Sequence, residues 1–155
     1  MAILISGDKK HIRPDEVAAL YVELGWGTTR EYSPARMSRS LAGCDIVVGA
    51  WNDAGELVGI ARGFSDFVTT TKILDMLIAP EYQRQGIGIR MMRKIESLAR
   101  GTDIYFETER KNFGFAEKCG YVKRKGLMVF MRPVLRSQKC LKKTRCAKPS
   151  MSRPG

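Results

Sequence analysis

The chain has 155 residues, one domain at about 150 residues each, and 44% of them are hydrophobic, which is enough for a core and argues against wholesale disorder. Net charge is +11, from 27 Lys and Arg against 16 Asp and Glu, and the one histidine, His11, excludes a His-rich metal site and leaves any Ser/His/Asp scheme hanging on a single residue. All 16 acids and 20 of the basic residues lie in residues 1–133, which are therefore mildly basic at +4, whereas residues 134–155 carry seven basic residues and no acid. That is a different object from a uniformly basic nucleic-acid binder.

In chain order, residues 3–6 read as a short first strand. Arg13-Pro14-Asp15-Glu16 opens a helix, because Pro fits the first turn and acids there suit the helix dipole. Val17, Leu20, Tyr21 and Leu24 then recur on one apolar face, and Gly25 closes the helix. Ser33-Pro34 caps and opens a second, shorter helix to Leu41. The period then changes to that of strands. Residues 45–51 are apolar and β-rich, Asn52-Asp53-Ala54-Gly55 is turn chemistry, and residues 56–67 and 72–79 give two more strands of an antiparallel meander. Residues 87–100 predict a strong amphipathic helix with Ile87, Met91, Met92, Ile95, Leu98 and Ala99 on one side, closed by Gly101. A strand at 103–109, a short helix at 113–119 and one or two strands within 121–132 complete the order β-αα-βββ-α-β-α-β(β). This is an α/β (α+β) chain with a mixed, mostly antiparallel sheet flanked by helices. Residues 134–155 lack aromatics and periodicity, and read as a disordered basic extension of a domain spanning 1–133.

The cysteines, Cys44, Cys119, Cys140 and Cys146, form no CxxC pair and no zinc ladder, so no metal is expected. No secretory signal and no run of about 18 apolar residues is present, so no membrane partner and a cytoplasmic location with free thiols are expected.

The informative stretch is the strand 72–79 followed by Pro80-Glu81-Tyr82-Gln83-Arg84-Gln85-Gly86-Ile87-Gly88 and a helix. Glycines let backbone approach a ligand, and a helix start offers free N–H groups, which together suit an anion such as a pyrophosphate. Arg84, Arg90, Arg93 and Lys94 add positive charge. A Walker A loop would need Gly-Lys-Ser/Thr, which is absent, and a dinucleotide fingerprint would need a third glycine where Met91 stands. A plain glycine turn is the remaining alternative.

Ile78-x-Pro80, then Gln83-x-x-Gly86-x-Gly88 before an amphipathic helix, resembles the acyl-CoA signature of the GCN5-related N-acetyltransferase (GNAT) family. Phe115-Ala116-Glu117-Lys118-Cys119-Gly120-Tyr121 is similar to a second segment of that family, and Leu24-Gly25-Trp26 to many of its small bacterial members. The resemblance covers residues 1–133 and implies a GNAT-like fold that transfers acetyl from acetyl-CoA to a primary amine by direct attack in a ternary complex. It implies acetyl-CoA contacts from Leu77, Ile78, Ala79, Gln83, Arg84, Gln85, Gly86, Ile87, Gly88, Ile89, Arg90, Asn112 and Phe115. The pyrophosphate would lie on the N–H groups of residues 85–90. Pantetheine would pair along the end of strand 72–79, which must splay from strand 103–109, and the N–H near Ile78 would face the thioester carbonyl.

The general-acid tyrosine common in the family falls at Ala116, which donates nothing; Tyr105, Tyr82 or water could serve instead. Asp75, a charge inside an apolar strand, is the candidate base, with pairing to Arg62 as the structural alternative. Glu107 and Glu109 share a face with Tyr105. Trp26, Tyr32, Asp66 and Phe67 are expected to wall the acceptor pocket, since aromatics plus an acid suit a cationic amine, although Trp26 also fits a core anchor. The acceptor is a small-molecule or peptide amine, and a homodimer is left open. A non-catalytic acyl-CoA-binding module is the main alternative. An RNA- or ribosome-associated role through the basic tail is the third, and nucleic acid is not expected, because the body is only +4.

Overall fold

Local signals set most element boundaries. In the computed structural model, which describes residues 2–124, the chain runs β1 (Leu4–Ser6), α1 (Pro14–Glu23), α2 (Pro34–Ala42), β2 (Ile46–Trp51), β3 (Leu57–Ser65), β4 (Thr70–Ile78), α3 (Ile87–Leu98), β5 (Asp103–Phe106) and α4 (Phe113–Lys118). Pro14 starts α1 with Asp15 and Glu16 in its first turn. Gly25, at φ +72°, ends it: the N–H of Gly25 donates to the Val22 carbonyl at 3.0 Å and that of Trp26 to the Tyr21 carbonyl at 3.0 Å. This paired closure of the last turn directs Trp26 back over the helix. Ser33 caps α2, its hydroxyl accepting from the Arg36 N–H at 3.4 Å.

The five strands lie in sequence order, β1 to β4 antiparallel and β4 parallel to β5. One sheet face carries Val47, Ile60 and Leu77 against Val17, Leu20 and Tyr21 of α1 and Met37 and Leu41 of α2. The other carries Val48, Ala61 and Ile73 against Ile87, Met91, Met92 and Ile95 of α3. Each such aliphatic side chain contributes about 1.5–3 kcal/mol on burial, so the two clusters hold the sheet between its helices. These elements belong to one unit, Met1–Val122.

Two irregularities position the site. The β3–β4 register shifts between Arg62 and Gly63, so that Arg62 opposes Asp75 and Gly63 opposes Ile73, with Leu74 as the extra residue of a bulge. The β4–β5 pairing runs only from Thr70↔Asp103 to Ile73↔Phe106. The strand expected over 103–109 therefore stops at Phe106, because β4 has left it. Of the strands expected within 121–132, residues 121–124 are irregular; the rest, and the extension at 134–155, lie outside the described residues. No helix among the described residues is long and apolar enough to cross a membrane.

Candidate active site

Beyond Ile73, β4 keeps β3 on one side and, among the described residues, has no strand on the other. The Ala79 N–H donates to the Val58 carbonyl at 2.9 Å. Backbone direction alternates along an antiparallel strand. Leu77 and Ala79 thus turn their N–H groups into the sheet, and Met76 and Ile78 turn theirs to the open edge. The resemblance implies acetyl-CoA contacts from Leu77, Ile78 and Ala79; in the structure the side chains of Leu77 and Ala79 lie in the core against α1 and α2, and the backbone donors of this stretch that face the open edge are those of Met76 and Ile78. The signal that finds Met76 is the hairpin register, counted with its bulge.

At the end of this edge the glycine loop feeds α3. Gly86 caps the helix at φ +78°, a conformation that favours glycine, and a Cβ there would meet nothing within 4 Å. Helix geometry leaves the N–H groups of Ile87, Gly88 and Ile89 without intrahelical acceptors, and the macrodipole makes this end attractive to an anion. Arg90 is different. Its N–H donates to the Gly86 carbonyl at 3.1 Å and its guanidinium to the Ile3 carbonyl at 2.7 Å. The anion donors thus end at Ile89, and Arg90 ties α3 to Ile3, just before β1. Arg84 is exposed at φ +59°. Gln83 donates its amide to the Ile78 carbonyl at 2.8 Å, on the open edge itself, and Gln85 donates to the Glu81 carbonyl at 2.7 Å.

Gly88 serves packing. A Cβ on it would lie 3.0 Å from the Phe115 ring and 3.3 Å from Ile78. Phe115 of α4 therefore lies across the start of α3, beside the open edge. Asn112 precedes α4 and is exposed.

On the opposite sheet face, Arg62 donates to both Asp75 oxygens, from Nε at 3.0 Å and from Nη2, and its Nη1 reaches the Ser40 hydroxyl of α2. The pair is buried, with Arg62 12% and Asp75 6% exposed at the side chain. Burial works against the guanidinium charge, but the hydrogen bonds and charge of Asp75 outweigh it and hold Arg62 above its ordinary value. The guanidinium lies 5.1 Å from the Tyr21 ring centroid. Tyr21 in turn stacks on Tyr32 at 4.7 Å and meets Trp26 edge-on at 5.8 Å. Asp75 is thus joined to Trp26 and Tyr32 through Arg62 and Tyr21; the sequence marks Tyr21 only as part of the apolar face of α1, and it does not mark Ser40, which braces Arg62.

The structure leaves other candidates apart from this cluster. Asp66 is spent on the β3–β4 turn, accepting from the N–H groups of Val68, Thr69 and Thr70 at 2.8–2.9 Å and from the Thr69 hydroxyl at 2.6 Å. The Thr69 hydroxyl, followed by the backbone donors, holds its carboxyl well below the usual range. Phe67 is exposed in the same turn, beside the start of β4 rather than the open edge. The Tyr105 hydroxyl turns back to Asp103 at 3.3 Å, away from the open edge. The Tyr82 hydroxyl accepts from Asn52 at 3.0 Å. Glu107 pairs with Lys72 at 2.6 Å and Glu109 with Lys111 at 2.7 Å, all on the surface. Ala116 is half-buried in α4.

A family model for the acetyltransferase (GNAT) family matches residues 15–121. GCN5-related N-acetyltransferase 3, chloroplastic, of Arabidopsis thaliana is 38% identical over 73 residues, 43% of this chain and 30% of that protein, so the chain spans less than a third of that relative's length. A GNAT-family acetyltransferase from Streptococcus pneumoniae shares the fold at a TM-score of 0.68 and 23% identity, with 85% of this chain and 100% of that one covered. AAC(6′)-Iy, solved in complex with the bisubstrate analogue CoA-S-monomethyl-acetylneamine, shares it at 0.66 and 13% identity, with 86% and 100% covered. Because the family match runs through the opened strand, the glycine loop and α4 rather than around them, the chain belongs to the acetyltransferase (GNAT) family.

Proposed function

We propose that this chain transfers the acetyl group of acetyl-CoA to a primary amine. The observation that carries this reading is the half-open β4, whose free edge leads into the glycine-capped start of α3. The N–H groups of Ile87, Gly88 and Ile89 suit the pyrophosphate. Met76 and Ile78 offer backbone donors to an extended pantetheine arm and to the oxygen that gains charge when the thioester carbonyl is attacked. The amine nitrogen bonds to the carbonyl carbon, the C–S bond breaks, and the thiolate leaves with the electron pair. The AAC(6′)-Iy complex with a CoA-containing bisubstrate analogue supports a ternary arrangement on this fold.

Trp26 and Tyr32, gathered on Tyr21, are the proposed wall for the amine. Asp75 has both oxygens on Arg62, so in this reading it is not the base, and the amine proton leaves to water. Water also protonates the thiolate, since Ala116 has no donor. These two substitutes favour one second reading, an acyl-CoA-binding domain without transferase activity.

Acetyl-CoA should raise Tm by linkage, by about 2.7 kcal/mol of stability at a hundredfold excess over Kd. Gly86→Glu should abolish the rise, because it places a side chain at φ +78° and a negative charge at the anion site. No rise for the wild type at millimolar acetyl-CoA would end the reading. A panel of amines assayed by CoA thiol release separates the two readings: turnover with any amine identifies the enzyme, and tight binding without turnover identifies the module.

A further inference from the structure

Leu74 to Ile78 is apolar on both faces except at Asp75. With both faces apolar, the hydrophobic pattern does not by itself choose between neighbouring registers, although a slip of one residue turns every side chain to the other face. The competing register is the unbulged hairpin. The Asp66 N–H donates to the Thr70 carbonyl at 3.1 Å, and the ladder continues through Phe64↔Lys72 and Gly63↔Ile73. Without the bulge it would proceed to Arg62↔Leu74, Ala61↔Asp75 and Ile60↔Met76. The Met76 N–H would then be consumed by β3, and Leu77 and Ala79 would face the open edge instead. Asp75 would be driven into the apolar layer under α3, among Ile73, Met91 and Ile95, where a lone carboxylate is strongly disfavoured. Arg62 would be left buried opposite Leu74.

We propose that Arg62 and Asp75 are positioning residues: their ion pair excludes the unbulged register and so selects which backbone N–H groups face the acetyl donor. The inference rests on the proposed use of the open edge for acetyl-CoA. A buried pair adds little net stability over apolar residues of similar volume, so its value lies in the register. Arg62 also ties this register to the amine wall, through Ser40 and the Tyr21 ring.

The test is the double variant Arg62→Met/Asp75→Leu, with Arg62→Lys as the conservative control. Cross-strand NOEs report the register without any ligand. The wild type should show Met76 opposite Ala61, and the double variant a population with Met76 opposite Ile60. With an amine that the wild type acetylates, kcat of the double variant should fall at least tenfold with Tm little changed. Arg62→Lys, which keeps a cation beside Asp75, should retain the wild-type register and a kcat within a few-fold. A double variant that keeps the wild-type NOE pattern overturns the proposal, and so does one that fails to fold, because the pair is then a requirement of the core. A wild type that neither binds acetyl-CoA nor acetylates an amine removes the proposed function, while the NOEs still decide the register.

Discussion

Tyr21 shows how far a single side chain can be committed here. It is fully buried, its ring lies between Arg62, Tyr32 and Trp26, and its hydroxyl, although close enough to Asp75 and Arg62 to feel both, makes no hydrogen bond of ordinary geometry among the described residues. An orphaned buried hydroxyl costs about 1–3 kcal/mol. Tyr21→Phe keeps every ring contact and removes only that group, so Tm should stay level or rise. Tyr21→Leu loses the stacking and the cation–ring contact, together on the order of 1–2 kcal/mol, and Tm should fall. A thermal melt of the two variants decides; a drop for Tyr21→Phe as large as for Tyr21→Leu would mean that the hydroxyl has a partner after all.

At the scale of the element, β4 does two jobs on its two edges. Toward β3 it is a ladder interrupted by the bulge at Leu74, and toward β5 it is paired only as far as Ile73. The Met76 N–H points to the unpaired side, so a proline there breaks no β3 bond. Met76→Pro should fold, while its acetyl-CoA affinity drops roughly tenfold relative to Met76→Ala, about the 1–1.5 kcal/mol of one hydrogen bond. Met76→Ala controls for the lost side chain, which packs partly on the α3 layer. Equal affinity of the two variants in a titration would show that this N–H is not a contact.

At the scale of the whole molecule, three tyrosines respond to burial in the same direction. Burial, aided by Asp75 for Tyr21 and Tyr32 and by Glu96 for Tyr121, raises all three hydroxyls above their ordinary value of 10.0. Below that value both folded and unfolded chains hold these protons, and the tyrosines add no dependence on pH. Above it the unfolded chain ionises while the folded chain resists, so stability is lost as pH rises. Tyr21 alone contributes up to about 1.4 kcal/mol per pH unit in that window. The urea midpoint should begin to decline as pH rises through about 9, where the thiols of Cys44 and Cys119, also raised by burial, start to count, and should fall further above about pH 10, less steeply there in Tyr21→Phe. An identical slope in that variant would place the alkaline sensitivity elsewhere.

Much of this molecule is determined by local chemistry and is legible in the sequence. Pro14, Ser33, Gly25 and Gly86 place helix ends within a turn of where they stand, because caps and positive φ are properties of a few adjacent residues. The meander from β2 to β4 and the glycine loop before α3 follow from turn residues and alternation. Asp75 and Arg62 are visible as charges in apolar strands, and their pairing as one of two readings. What only the tertiary structure decides is the one-residue bulge at Leu74 and the point, after Ile73, at which β4 parts from β5 as the resemblance implies. A strand apolar on both faces carries no periodic mark of its register, so the choice falls to a buried ion pair contributed from two strands and braced by Ser40 and Tyr21 from two helices. The same reason hides Met76: an amide's direction is set by what the neighbouring strand accepts, and no residue type encodes it.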